Sequence, residues 1–153
     1  MTSLENVVGM FRDAANKHVY VQSFAFGSLD YLDSSSQNIK YPYVFLRPLN
    51  SPGYSQDTRL RILSFELYCL DVPRLENQSP EAVMAKMEEV MYDFGGYFNW
   101  GPPSDDQQKG IAYDIQSITP TLEAFMDRVY GWVGTIQLTE SGIYDYCNFP
   151  KTS

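Results

Sequence analysis

The sequence predicts an α+β domain: a mostly antiparallel sheet of about five strands with two amphipathic helices on one face, in the order αβββαββ. Three observations carry that expectation. Two segments repeat apolar residues at helical spacing. Several others are short, β-rich and bounded by Gly, Pro, Asn or Ser. The strands also follow one another directly more often than they alternate with helices, which favours antiparallel neighbours. Nothing repeats internally and no linker divides the chain, so residues 1–153 read as a single domain. At this length folding buries roughly 68–70% of the unfolded surface, enough for a core without covalent staples.

The first helix is expected over about residues 3–17. Thr2 and Glu5 have the spacing of a capping box, and Leu4, Val7, Val8, Phe11, Ala14 and Ala15 share one face. Lys17 and His18 fall at its end, where positive charge complements the helix dipole. Val19 to Phe26 alternates as a strand that Gly27 ends, and Ser28 to Ile39 reads as a polar loop with a turn at Leu29–Leu32. Tyr41 to Leu49 is the next strand. Its prolines, Pro42 and Pro48, each lack a donor and suggest an edge position or frayed ends. Asn50 to Asp57, with Pro52-Gly53, is expected to be a hairpin loop.

Leu60 to Val72 is the strongest strand in the sequence. Leu60 and Ile62 mark one face and Leu63, Phe65, Leu67 and Cys69 the other, which suggests a central position stopped by Pro73. Ser79-Pro80-Glu81 opens the second helix with an N-cap, a first-turn proline and an acid. Val83, Met87, Val90, Met91 and Phe94 form its apolar stripe, opposed by Glu81, Lys86, Glu88 and Glu89. Gly95-Gly96 is expected to close it. After a polar loop over Asn99 to Gly110, strands are expected at Ile111–Ile118, broken by Pro120, and at Arg128–Leu138. The tail holding Tyr144, Tyr146 and Phe149 shows no regular pattern.

The composition excludes some functions. A net charge of −8 argues against tight binding to nucleic acid and to anionic membranes, both of which need clustered Lys and Arg. An acidic surface keeps a protein soluble, and it also suits a wall past which DNA slides without being held. Twelve Tyr and nine Phe are a marked excess with two readings that the sequence leaves open. Tyr suits protein–protein surfaces, and aromatics also suit pleated strands. Cys69 and Cys147 match no metal or redox spacing, and Cys69 sits in an apolar run as a small hydrophobe. The chain starts without a basic and apolar leader and has no run approaching the ~18 apolar residues of a membrane helix. Synthesis and residence in a reducing cytoplasm are therefore expected.

The expected catalytic, cofactor and metal residues are none. His18 is the lone histidine, no neighbouring Ser, Cys or carboxylate is arranged to suggest a base or triad, and a capping or surface role suits it. One His with two distant Cys falls short of a zinc site. The acidic pairs Asp30/Asp33, Glu88/Glu89 and Asp105/Asp106 read as solvated turns and a helix face rather than a catalytic pair in a cleft. The glycines match no phosphate loop, since Gly95-Gly96 ends a helix where such loops begin one.

Four short motifs are similar to a family of tail-completion or connector proteins of tailed phages of Bacteroidetes, including crAss-like phages. They are Ser28–Asp33 followed by Tyr41-Pro42, Leu67–Asp71 at the end of a long strand, Leu122–Arg128 leading to Tyr130-Gly131-Trp132, and Tyr146-Cys147-Asn148. The resemblance implies a tail-terminator-like fold and a homo-oligomeric ring, of about six or twelve copies, at the head–tail junction of the virion. Such a ring would contact portal, connector or tail proteins and seal or gate the DNA exit path without gripping DNA. Loops at 28–40, 50–58 and 99–110 would reach neighbours or the lumen, and Asp105 and Asp106 would suit a DNA-facing position. The rival expectation is a small ligand-binding or regulatory domain, marked by a sizeable pocket in the isolated subunit.

Overall fold

Ser3 rather than Thr2 starts the first helix, because its hydroxyl accepts the Asn6 amide at 3.1 Å. Helix α1 runs Leu4–Lys17, and the His18 amide closes it on the carbonyls of Ala14 and Ala15. In this computed structural model residues 3–28, 39–49, 53–55, 60–74, 78–101, 111–124 and 129–141 are described, with backbone alone for 54–55, 122–124 and 141. The turn at Leu29–Leu32, the Leu122–Arg128 side chains, Asp105, Asp106, Cys147 and the C-terminal tail lie outside the description.

The strands are β1 (Ser23–Phe26), β2 (Tyr43–Pro48), β3 (Gly53–Ser55), β4 (Leu60–Asp71), β5 (Ile111–Ala124) and β6 (Val129–Ser141), with helix α2 (Pro80–Trp100) between β4 and β5. They form one sheet in the order β1-β2-β4-β6-β5, with β3 also paired to β4. Strand β4 is central, as its two-sided apolar pattern requires. It pairs antiparallel with β6 from Leu60↔Ser141 to Asp71↔Tyr130. The fold is the expected α+β architecture with both helices packed on one face.

Strand β1 starts at Ser23 rather than Val19, and four larger features differ from the sequence reading, each for a physical reason. Strand β1 pairs parallel with β2, which the long connection between Phe26 and Tyr43 allows, since a parallel pair needs a crossover of about a dozen residues or more. Strand β2 therefore lies between β1 and β4 rather than at an edge, and its prolines sit just before it and at its end. Gly53–Ser55, expected in a loop, pairs with Leu60–Ile62 and extends the hairpin. Strand β5 runs through Pro120, which opposes Trp132; an edge strand tolerates the missing donor.

The fourth difference is helix α2, which continues through Gly95-Gly96 to Trp100 and ends at Gly101. A Cβ on Gly95 would stand 3.2 Å from the Tyr113 ring. The glycine lets β5 pack against the helix, and the extra turn buries Phe98. Ser79 caps the other end by accepting the Ala82 amide at 3.2 Å.

Alternation divides the sheet. Val44, Leu46, Leu63, Phe65, Leu67, Cys69, Tyr113, Ile136 and Leu138 face the helices and pack with Val7, Phe11, Val83, Met87, Val90, Met91, Phe94 and Phe98. Trp132 ties β6 to α2 by donating its indole N–H to the Met84 carbonyl at 2.8 Å. On the opposite face Tyr43, Phe45, Tyr68, Leu70 and Val129 form a second, smaller buried cluster. The rest of that face carries Arg47, which pairs with Glu66 across β2 and β4.

Two glycines give opposite expectations for alanine. A Cβ on Gly131 would stand 1.9 Å from the Cys69 carbonyl oxygen, so Gly131→Ala must push β6 off β4 and should destabilise the fold by more than about 3 kcal/mol. A Cβ on helical Gly96 meets nothing within 4 Å, so Gly96→Ala should stabilise by about 0.5–1 kcal/mol. Urea unfolding of both variants checks the pair.

Candidate functional site

The chemistry-bearing side chains gather in three places around α2. At the α1 terminus the chain turns so that the His18 ring lies between two elements. Its Nδ1 accepts the Tyr20 amide at 3.1 Å, which leaves Nε2 to donate to Asp93 Oδ2 of α2 at 2.8 Å. The sequence reading found no carboxylate for His18 because Asp93 is 75 residues away; two packed helices bring them together. Both ring nitrogens are thereby engaged, and the adjoining hollow of about 240 Å³ is lined by Ala14, Lys17, Asp93, Phe94 and Tyr97, with no hydroxyl or thiol nucleophile beyond the phenol among the described residues. The arrangement latches α1 to α2.

Beside it lies a second latch. Tyr97 donates its phenol to Asp13, which also pairs with Lys17 at 3.0 Å. Those two hydrogen bonds hold the Asp13 carboxyl below the usual carboxylate range. Desolvation, then the bond to Asp13, pushes the Tyr97 phenol up to about 12.

The second place is an open pocket of about 430 Å³ at the start of α2. It is lined by Lys40, which leads into β2, Arg74, which follows β4, and Lys86 on α2, together with Tyr20, Gln22 and Tyr41. Among the described residues no carboxylate lines it. Arg74 is fixed from below: it donates to the Tyr41 carbonyl and pairs at 3.2 Å with Asp71, whose side chain is buried. Burial pushes the Asp71 carboxyl up, against the Val72 amide and the charges of Arg74 and Lys86, which pull it down. Lys86 Nζ stands 3.9 Å from the centre of the Tyr20 ring.

The third place is the surface between the end of α2 and strand β5. Trp100 is 85% exposed and Tyr92 53%, large values for such side chains on a well-packed helix. They border a shallow groove of about 380 Å³ with Asn99, Tyr113, Asp114 and Ile115. Among the described residues no strand pairs with the outer edge of β5. Asn99 occupies one position of that edge, accepting the Tyr113 amide and donating to its carbonyl, both at 3.1 Å.

Of the acidic pairs, Glu88/Glu89 borders none of these three places. Glu88 is half-buried and Glu89 exposed on α2, and the other two pairs lie outside the described residues. Cys69 is a buried free thiol, pushed up by desolvation. Among the described residues no group of three or more His, Cys, Asp or Glu is placed to hold a metal ion. No helix there is long and apolar enough to cross a membrane. No protein-family model matches the chain, and no curated protein matches its sequence.

The Asp13–Tyr97 latch sets a pH dependence with two limbs. Asp13 is depressed on folding, so its contribution is present above about pH 4 and lost as pH falls through the folded value. Tyr97 is raised, so its contribution is present below about pH 10 and lost as pH rises toward the folded value. Asp13 is about half exposed and Tyr97 half-buried, so solvent screens the contact and Tyr97→Phe should cost about 1 kcal/mol or less. Thermal melts across pH 3–11 should show the difference from wild type narrowing toward both extremes.

Proposed function

We propose that this chain is a structural assembly protein: one subunit of a ring at the head–tail junction of a tailed phage. There it would serve as a connector, tail-completion or tail-terminator component that seals or gates the DNA exit path. The observation that carries the assembly reading is the α2–β5 surface. Trp100 and Tyr92 stand exposed beside an outer strand edge whose backbone groups, apart from those met by Asn99, have no strand partner among the described residues. Exposed Trp and Tyr beside a strand edge that no described strand covers are the raw material of an interface.

The occupant we assign to this surface is a second copy of the chain. Among the described residues the sheet presents two different outer edges, β1 and β5. Contacts between unlike surfaces are head-to-tail, and head-to-tail contacts close into rings when the rotation permits. The phage setting rests on the motif resemblance, and the acidic composition agrees with a passage that does not hold DNA. The virion is then the place of residence, after synthesis in the host cytoplasm.

Trp100→Ser tests the reading. Trp100 sits outside the core, so the variant should keep its melting temperature within about 2 °C. Wild type at high concentration, alone or with its neighbouring portal or connector protein, should form a cyclic oligomer in native mass spectrometry. The variant should weaken each subunit contact by about 30-fold or more, the loss expected of a central aromatic anchor. A wild type that stays monomeric under all these conditions, or a variant that assembles equally well, would contradict the proposal.

A further inference from the structure

We propose that the pocket lined by Lys40, Arg74 and Lys86 binds a small phosphorylated molecule of about mononucleotide size. The first argument is charge. The protein as a whole carries −8, yet three cationic side chains from three separate segments converge on this one pocket, and no carboxylate lines it among the described residues. Asp71 lies beneath and offsets Arg74. Among the described residues neither Lys40 nor Lys86 forms an ion pair within salt-bridge distance, and against the single Asp71 charge about two positive charges remain to attract an anionic ligand.

The second argument is construction. Arg74 is held at both ends, its backbone amide on the Gln78 side chain at 2.9 Å and its guanidinium on the Tyr41 carbonyl and Asp71. A guanidinium fixed in this way loses little freedom on receiving a phosphate, whose oxygens match its fork of donors. Lys86 is steadied over the Tyr20 ring, 3.9 Å from its centre. A volume of about 430 Å³ exceeds what a bare phosphate fills and suits a ligand with a further organic part, which the Tyr20, Tyr41 and Val19 surfaces can cover. The pocket lies at the start of α2, away from Trp100 at its other end, so the inference stands apart from the assembly reading.

The experiment is calorimetric titration of the full chain at physiological salt with ADP, with pyrophosphate, and with a 20-base-pair DNA duplex. ADP should bind saturably and pyrophosphate should compete. Lys40→Ala and Lys86→Ala should each weaken ADP by about fivefold or more, as loss of a charge-assisted contact requires, with unchanged melting temperatures. Affinity should fall as salt rises. The inference is overturned if neither phosphate compound binds, if both alanine variants bind as wild type does, or if only the DNA duplex binds.

Discussion

The ring of Phe11 holds the helical layer to the sheet. Its centroid lies 4.6 Å from Phe98 and 6.3 Å from Phe94 on α2, 5.7 Å from Phe65 on β4 and 6.2 Å from Tyr113 on β5. One side chain of α1 therefore joins four elements from four regions of the sequence. Such a cluster gains from area buried and from edge-to-face and offset ring geometry. It also explains why α2 cannot stop at its glycines: ending there would remove Phe98, the nearest of Phe11's partners, and would uncover Tyr113, which stacks on Phe98 at 5.3 Å. The position of Trp100 follows from the same constraint, because the turn that buries Phe98 carries Trp100 out into solvent.

Elements whose signal was local were legible in the sequence. The Ser79-Pro80 start, the apolar stripe of α2, the two-sided pattern of β4 and the burial of Cys69 all follow from nearest neighbours and periodicity. The features that were not legible depend on contacts across the fold. Gly95 ends a helix by propensity and continues one because Tyr113 needs the space. Pro120 breaks a strand by its missing donor and persists because β5 is at an edge. The pairing of His18 with Asp93, and the meeting of Lys40, Arg74 and Lys86, join residues that no local spacing could associate. Trp100 lay at the border of an expected loop, and its exposure was beyond the reach of sequence reasoning.

The molecule separates its chemistry by location along α2. The first turns border a cationic pocket, Asp93 and Tyr97 in the C-terminal half latch the helix to α1, and Tyr92 and Trp100 present an aromatic surface beside a strand edge. These latches are polar and partly exposed, so they orient the two helices while the buried aromatics supply most of the cohesion. They hold the C-terminal half of α2 in place against α1. In a ring subunit that rigidity lets the α2–β5 surface meet a neighbour with little ordering on contact, while the pocket stays open at the opposite end.

The central claim is that this chain works as a fixed part of a particle, and the copy number in purified virions addresses it most directly. Quantitative peptide mass spectrometry, calibrated against the portal protein of the same particles, would give that number. The account predicts a small, symmetry-compatible value of about six or twelve. Absence from purified particles, with abundant protein in infected-cell extract, would contradict it.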